Sequence, residues 1–267
     1  MLAYPNIDPV IVHLGPLAIR WYGMAYLCGF LFGYLLTGRQ RREGLLNITS
    51  DQLSGLVTAM ILGVILGGRL GYVLFYDLPH YFNHPLQAFA IWRGGMSFHG
   101  GLLGTLVAGA LYCRSEKLPY LSVADRVAVV VPVGLFFGRV ANFINGELWG
   151  RTTDMPWGMI FPYAGALPRH PSQIYEALLE GLLLFALMWL MRKRLARPGA
   201  LLGLFMVSYG ILRVFVEFFR EPDAQVGFLF SLVTMGQVLS GVMLAVGAWL
   251  LWSSRRREPV TPLPPSA

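Results

Sequence analysis

The stretch "GRVANFINGELWGR" occupies residues 138–151 and directly follows "VAVVVPVGLFF" at 127–137. The first part to be read, 127–137, holds no charged residue. The second carries Arg139, Asn142, Asn145, Glu147 and Arg151. Each of those groups is costly to place near hydrocarbon and marks function when it occurs there. Arg139, Asn142 and Gly146 recur at i, i+3 and i+7, which puts them on one helical face. The pair of stretches therefore reads as an apolar helix whose end faces a polar pocket.

The rest of the chain extends that reading. Of 267 residues, 55% are hydrophobic and 13% charged, and the mean hydropathy is +0.56. A soluble globular domain carries about 25% charged residues, so this chain cannot cover a large water-facing surface. Apolar runs recur at 21–38, 53–76, 97–113, 121–143, 173–191, 199–219 and 231–252, each near the length that crosses a bilayer. The expectation is an all-α integral membrane protein with seven transmembrane helices. It forms one polytopic domain over 1–252, with a small periplasmic loop region around 144–172. A short basic, Pro-rich cytoplasmic tail follows at 253–267. The opening "MLAYPNIDPVIVHLGP" lacks a basic segment before an apolar core, so no cleavable signal peptide is expected.

Basic residues set the orientation. Twelve Lys and Arg flank one set of span ends, among them Arg39, Arg114, Lys193 and Arg255, against five on the other. Cytoplasmic loops carry that excess, so the N-terminus is expected outside and the C-terminus in the cytoplasm. The net charge of +7 is then a topological signal and not a nucleic-acid patch. Cys28 and Cys113 lie within or at the end of apolar runs and read as packing residues.

Ionisable and aromatic residues inside the runs form a pattern. Arg69, Tyr72 and Tyr76 fall within about 60° of arc on the second run. Tyr209, Arg213, Glu217 and Arg220 fall within about 80° on the sixth. His99 opens the third run and Tyr22 the first. Under the expected topology all of these lie toward the outer leaflet, where five helices can bring Tyr22, Arg69, His99, Arg139 and Arg213 to one level. Plainer readings compete. Tyr22, Trp92, Trp149 and Trp157 fit an interfacial belt, Arg213 and Glu217 a structural ion pair, and Arg93 and Arg220 snorkelling side chains. Three arginines facing one buried region with only Glu217 and Glu147 as counterions favour an anionic ligand, and a planar guanidinium fork suits phosphate. His80 and His84 stand at i, i+4, but Pro79 and Pro85 flank them and no third ligand is evident; no metal and no cofactor are expected. "HGG" at 99–101 is unaccompanied by a nucleophile elbow, which disfavours a serine hydrolase. Gly63, Gly67 and Gly71 make a ridge suited to close helix packing.

In this order, "RWYG", "GGRLGYVLFY", "GGMSFHGGLLG", "GRVANFINGELWGR", "LPRHPSQIYEALLEG" and "YGILRVFVEFFREPD" resemble bacterial prolipoprotein diacylglyceryl transferase, over about residues 5–250. The resemblance implies transfer of the diacylglyceryl group of phosphatidylglycerol to the lipobox cysteine thiol of a prolipoprotein. A thioether forms and glycerol 1-phosphate leaves, the first step of lipoprotein maturation. It implies His99, Arg139 and Arg213 as catalytic residues. Phosphatidylglycerol would be bound by Arg139, Asn142, Asn145, Tyr22, Arg69, Tyr72, Tyr76 and Gly150. Glu147, Tyr209, Glu217, Arg220 and His170 would support the site, with Glu147 and Glu217 holding the arginines. His99 is either the base for the thiol or an orienting group beside arginines that lower the thiol pKa. The implied partners are phosphatidylglycerol and the prolipoprotein signal peptide with its lipobox cysteine. The implied place is the bacterial inner membrane, with the site facing the outer leaflet or periplasm. The rival class is a transporter or flippase of an anionic lipid or solute; against it, the two halves show no internal repeat.

Overall fold

The computed structural model describes residues 2–5, 7–15, 17–221, 228–229 and 233–260. Among the described residues, seven long helical rods coincide with the seven apolar runs. They are α1 (Trp21–Arg42), α2 (Ser50–Phe75), α4 (Phe98–Ser115), α5 (Tyr120–Ile144), the continuous α6 (Ser172–Glu176) and α7 (Leu184–Met191), α8 (Ala200–Glu217) and α9 (Met235–Ser254). A π-wound segment, Ala177–Leu183, joins α6 to α7. Short α3 (Leu78–Asn83) and two single turns of tight helix fill the α2–α4 connection. An antiparallel hairpin of β1 (Val10–Leu14) and β2 (Leu17–Arg20) precedes α1. Five of the rods, α2, α5, α6–α7, α8 and α9, are long and apolar enough to cross a membrane. Neither α1 nor α4 is among them: α1 interleaves Trp, Tyr and Gly with its apolar residues before its basic end, and α4 opens on "FHGG" and closes on "CRS".

Local chemistry starts these helices where they start. Thr49 and Gln52 exchange side-chain and backbone hydrogen bonds in a capping box at α2, and Thr234 and Gln237 do the same at α9. Both satisfy amides that a helix N-terminus leaves without partners. The Ser97 hydroxyl accepts from the Gly100 amide at the start of α4. At the far end of α5, Asp125 caps a different helix. Its carboxylate accepts from the Gly199 amide at 2.8 Å and the Leu202 amide at 2.7 Å.

Rod α5 is the hub of the bundle. Glycine lets α1 approach it, with Gly29 against Gly134, while Phe32 stacks on Phe137. The two rods are antiparallel, and this register carries Tyr22 level with the last turn of α5. The glycine ridge of α2 packs on α4, as its spacing predicts. A Cβ at Gly63 would lie 2.6 Å from the Gly104 carbonyl oxygen, and one at Gly71 would lie 2.8 Å from the Gly100 Cα. The described part of the C-terminal tail is docked. The Arg257 guanidinium donates to the Pro198 carbonyl and the Val260 amide to the Ala196 carbonyl; residues 261–267 lie outside the described chain.

Replacing Gly67 with Val should therefore force α2 and α4 apart and lower stability by about 3 kcal/mol, the overpacking range for a tight interface. Gly241→Ala on α9, where nothing lies within 4 Å of the added carbon, should be neutral or slightly stabilising. Thermal melts in detergent distinguish the two; equal melting points would mean that the glycine contact does not hold the pair.

Candidate active site

The polar stretch at 138–151 begins inside α5 and leaves it at Asn145. Gly146 (φ 66°) and Leu148 (φ 58°) turn the chain back through the left-handed region, which costs a non-glycine residue such as Leu148 about 1–3 kcal/mol. Neighbours over-determine that turn. The Tyr4 hydroxyl lies 2.6 Å from the Phe143 carbonyl oxygen and 3.0 Å from that of Ile144, covering acceptors that a helix C-terminus leaves open. From α6, Ser172 donates to the Leu148 carbonyl at 3.1 Å and Gln173 to the Glu147 carbonyl at 2.7 Å.

Within this frame the ionised groups form a chain. The Arg139 Nε donates to Glu176 Oε2 at 2.6 Å, and the Arg213 Nη1 reaches the same oxygen at 3.0 Å. Arg213 also lies 3.5 Å from Glu180 and 3.0 Å from Glu217. Glu176 and Glu180 are fully buried, and Arg213 and Glu217 nearly so. The Arg139 side chain remains 19% exposed. On the other side of Arg139, its Nη1 lies 3.4 Å from Asn142 Oδ1. Asn142 and Asn145 both donate to Glu147 Oε1, at 2.9 and 3.1 Å. Beside this line opens a cavity of about 440 Å³, lined by Pro9, Arg20, Tyr22, Asn145 and Glu147. Tyr209, half-buried, stacks on Phe205 one turn before Arg213.

Two expectations from the sequence are corrected here. Positive charge is not in excess in the buried cluster, since three carboxylates surround two guanidiniums. The oversight lay in the fifth run, where Glu176 and Glu180 stand at i, i+4 inside an otherwise apolar helix, a signal of the kind that marked Arg139. Among the described residues Glu147 forms no ion pair with an arginine; its carboxylate takes the two asparagine amides. Glu217 does pair with Arg213, as expected. Arg20, counted only toward topology, lines the cavity.

Other anticipated residues lie apart from this cluster. Arg69 is buried and gives its donors to backbone. Its Nε binds the Ala88 carbonyl at 2.7 Å, its Nη2 that of Gln87 at 2.7 Å, and its Nη1 those of Gly94 and Gly95 at 2.6 and 3.0 Å. Tyr72 stacks on Tyr76, and Tyr81 covers the Arg69 guanidinium at 5.1 Å. His99 is exposed on the first turn of α4, its ring edge-on to Phe98 at 5.6 Å. Among the described residues no hydrogen bond or ring contact of Arg69, Tyr72, Tyr76 or His99 reaches Arg139 or Arg213.

Gly150, His170 and Arg220 belong to a small backbone knot above the cluster. The Gly150 amide donates to the His170 carbonyl at 2.9 Å and the Arg151 amide to that of Phe219 at 2.8 Å, and Gly150 pairs with Arg220 in a single bridge. Burial alone pushes the His170 imidazole below its ordinary pKa, which favours the neutral ring. The Tyr175 hydroxyl takes the Trp157 indole N–H at 2.7 Å and lies 3.1 Å from His170 Nδ1, so its own proton is free to be donated to that nitrogen. Trp157, read as an interfacial residue, thus fastens the 152–168 loop to α6.

The chain resembles known proteins along nearly its whole length. The family model described as prolipoprotein diacylglyceryl transferase matches residues 9–253. A phosphatidylglycerol–prolipoprotein diacylglyceryl transferase of Nitratidesulfovibrio vulgaris (strain Miyazaki F) is 55% identical over 96% of this chain and 97% of its own. One from Legionella pneumophila (strain Paris) is 52% identical over 96% of this chain and 100% of its own. One from Photobacterium profundum is 50% identical over 97% and 98%. With five helices able to cross a bilayer, the chain is a multi-pass membrane protein belonging to the prolipoprotein diacylglyceryl transferase family.

Proposed function

We propose that this protein transfers the diacylglyceryl group of phosphatidylglycerol to the lipobox cysteine of prolipoproteins. The cysteine sulfur attacks the glyceryl carbon that bears the phosphate ester. A carbon–sulfur bond forms, the carbon–oxygen bond to phosphate breaks, and the electron pair leaves with glycerol 1-phosphate. The observation that carries this reading is Arg139, held by Glu176 through Nε and by Asn142 through Nη1, and partly exposed beside the cavity. A guanidinium fixed along one edge presents the rest of its donors in a set direction. Such a preorganised cation stabilises charge that develops as the ester oxygen departs.

The buried arrangement separates two roles that the sequence reading merged. Arg213 lies deeper and is shared by three carboxylates, so it acts as a positioning residue that keeps Glu176 aimed at Arg139. Asn145 and Glu147 line the approach with Tyr22 and Arg20, and suit the hydroxyls of a glycerol headgroup; buried Asn142 stands behind them, joined to Glu147. Arg69 holds backbone in place, and its contribution to lipid binding is indirect. His99 takes the thiol proton, its exposed imidazole being reachable from outside the bundle. Seven spans, an outside N-terminus and a site toward the outer leaflet complete the proposal, supported by the seven rods and the twelve-to-five asymmetry of basic residues.

The direct experiment incubates the purified protein with phosphatidylglycerol vesicles and a lipobox peptide. The expected product is peptide carrying one diacylglyceryl unit on cysteine. Movement of phosphatidylglycerol between leaflets without modified peptide would favour the transporter reading instead. Reporter fusions after Arg42, after Lys117 and at the C-terminus should report cytoplasm, and one within 152–168 the outside; a cytoplasmic signal from that loop would reverse the orientation.

Arg139→Lys keeps the charge but cannot span Glu176 and a phosphate oxygen together. Its initial rate should fall by at least about thirtyfold, or roughly 2 kcal/mol of transition-state stabilisation. Glu176→Gln should slow the reaction as well and lower the melting temperature, since it leaves buried Arg213 and partly exposed Arg139 short of a carboxylate. Near-wild-type turnover by a folded Arg139→Lys protein would remove Arg139 from the chemical step.

His99→Gln should lower turnover strongly while leaving lipid binding largely intact. Because thiol ionises unaided as pH rises toward about 8.5, the deficit should narrow with increasing pH. A deficit that is flat in pH would assign His99 an orienting role.

A further inference from the structure

We propose that the segment from Phe75 to Phe98, between α2 and α4, is a shelf that lies in the headgroup boundary of a lipid bilayer, its apolar edge among the acyl chains. The first observation is exposure. Phe75 (82%), Phe82 (84%), Leu86 (83%), Phe89 (77%) and Trp92 (79%) are among the most exposed large apolar side chains described, and contiguous patches of that kind mark interaction sites. They recur every three to seven positions, so the edge persists although the backbone changes from α to tighter turns and passes Pro79 and Pro85.

The second observation is continuity. Leu62, Leu66, Leu70 and Leu74 form an exposed i, i+4 stripe along α2, one of the helices able to cross the membrane. The shelf begins where that stripe ends. A surface continuous with a lipid-facing stripe meets the same solvent unless the chain turns away from it, and here the apolar edge continues. The opposite side of α3 carries exposed His80 and Asn83, the two-faced pattern of an element lying along an interface rather than crossing it.

The third observation is the backbone. Irregular chain is tolerated near hydrocarbon only where its polar groups find partners inside the protein. Arg69 supplies them to the carbonyls of Gln87, Ala88, Gly94 and Gly95. In open water those carbonyls would be hydrated without help, and a buried guanidinium would be an expensive substitute. At the depth of the lipid boundary the arrangement is required. The shelf follows from α2 and Arg69 and does not depend on the transfer reaction.

The test uses the full chain with Cys28 and Cys113 replaced by Ala, reconstituted in phosphatidylcholine–phosphatidylglycerol vesicles. Nitroxide labels are attached at Leu86→Cys, Phe89→Cys and His80→Cys. Labels at 86 and 89 should relax several-fold more with dissolved oxygen than with a water-soluble nickel chelate, and the label at 80 should show the reverse. Nickel access at 86 and 89 would overturn the proposal, as would shielding from both agents, which would point to a protein partner or a second copy. A measurement free of new cysteines compares tryptophan quenching by brominated acyl chains in the native chain and in Trp92→Phe. The native chain should lose the larger share of its emission; equal shares would count against the shelf. In Arg69→Lys, which offers one cationic centre to four carbonyls, the labels at 86 and 89 should gain nickel access several-fold. Unchanged access would mean that Arg69 does not pin the shelf.

Discussion

Glu176 is the constraint on which the site depends. One of its oxygens is shared by Arg139 of α5 and Arg213 of α8, and its side chain is wholly enclosed. A carboxylate in that position cannot be solvated by water, and neither can the Arg213 guanidinium beside it. Each is tolerable only because the others are there, and removing one member of such a group typically costs about 3–5 kcal/mol. The same interdependence fixes the geometry. Three helices must keep their register for the ions to meet, so the placement of Arg139 against Glu176 is set by the packing of the bundle and not by a loop.

The end of the bundle away from the site is held by related means with a different purpose. Asp125 caps α8 from α5, Arg126 donates to the Arg192 carbonyl, and Gln40 of α1 donates to the Arg126 carbonyl. Burial pushes the Glu43 carboxyl upward, yet hydrogen bonds from Arg39, Lys193 and Arg192 outweigh it and hold its pKa below the ordinary value. There the polar groups are spent on one another and on helix ends. Beside the cavity one is only partly so: Arg139 keeps part of its surface open. That difference separates a clamp from a site, although the two use the same residue types.

Much of this was legible in the sequence. All seven runs became helical rods, because a run of about twenty apolar residues has few alternatives, and the Gly63–Gly67–Gly71 ridge met its partner. The meeting of Arg139 with Asn142 followed from their i, i+3 spacing on one helical face. The electrostatics were less legible. Counting counterions by run missed Glu176 and Glu180, since a carboxylate reveals its partner only after the helices are packed. Arg69 was misleading for a related reason. Its partners are backbone carbonyls of a connection, which leave no trace in side-chain patterns, so a buried arginine that serves the chain looks like one that awaits an anion.

Gly150 shows how the two kinds of residue can be told apart. The family resemblance places it among lipid-binding positions, yet a Cβ there would lie 2.5 Å from the Phe219 carbonyl oxygen and 2.7 Å from both the Cβ and the carbonyl oxygen of His170. Intolerance of any side chain at 150 therefore follows from packing alone. The same strand crossing fixes Arg220 and joins the end of α8 to the segment leading into α6. Since α8 carries Arg213 and α6 carries Glu176, a disturbance at Gly150 acts on the ion chain through its two supports. A residue can thus be indispensable to the reaction while touching no reactant, when it holds together the elements that carry opposite members of a buried ion pair.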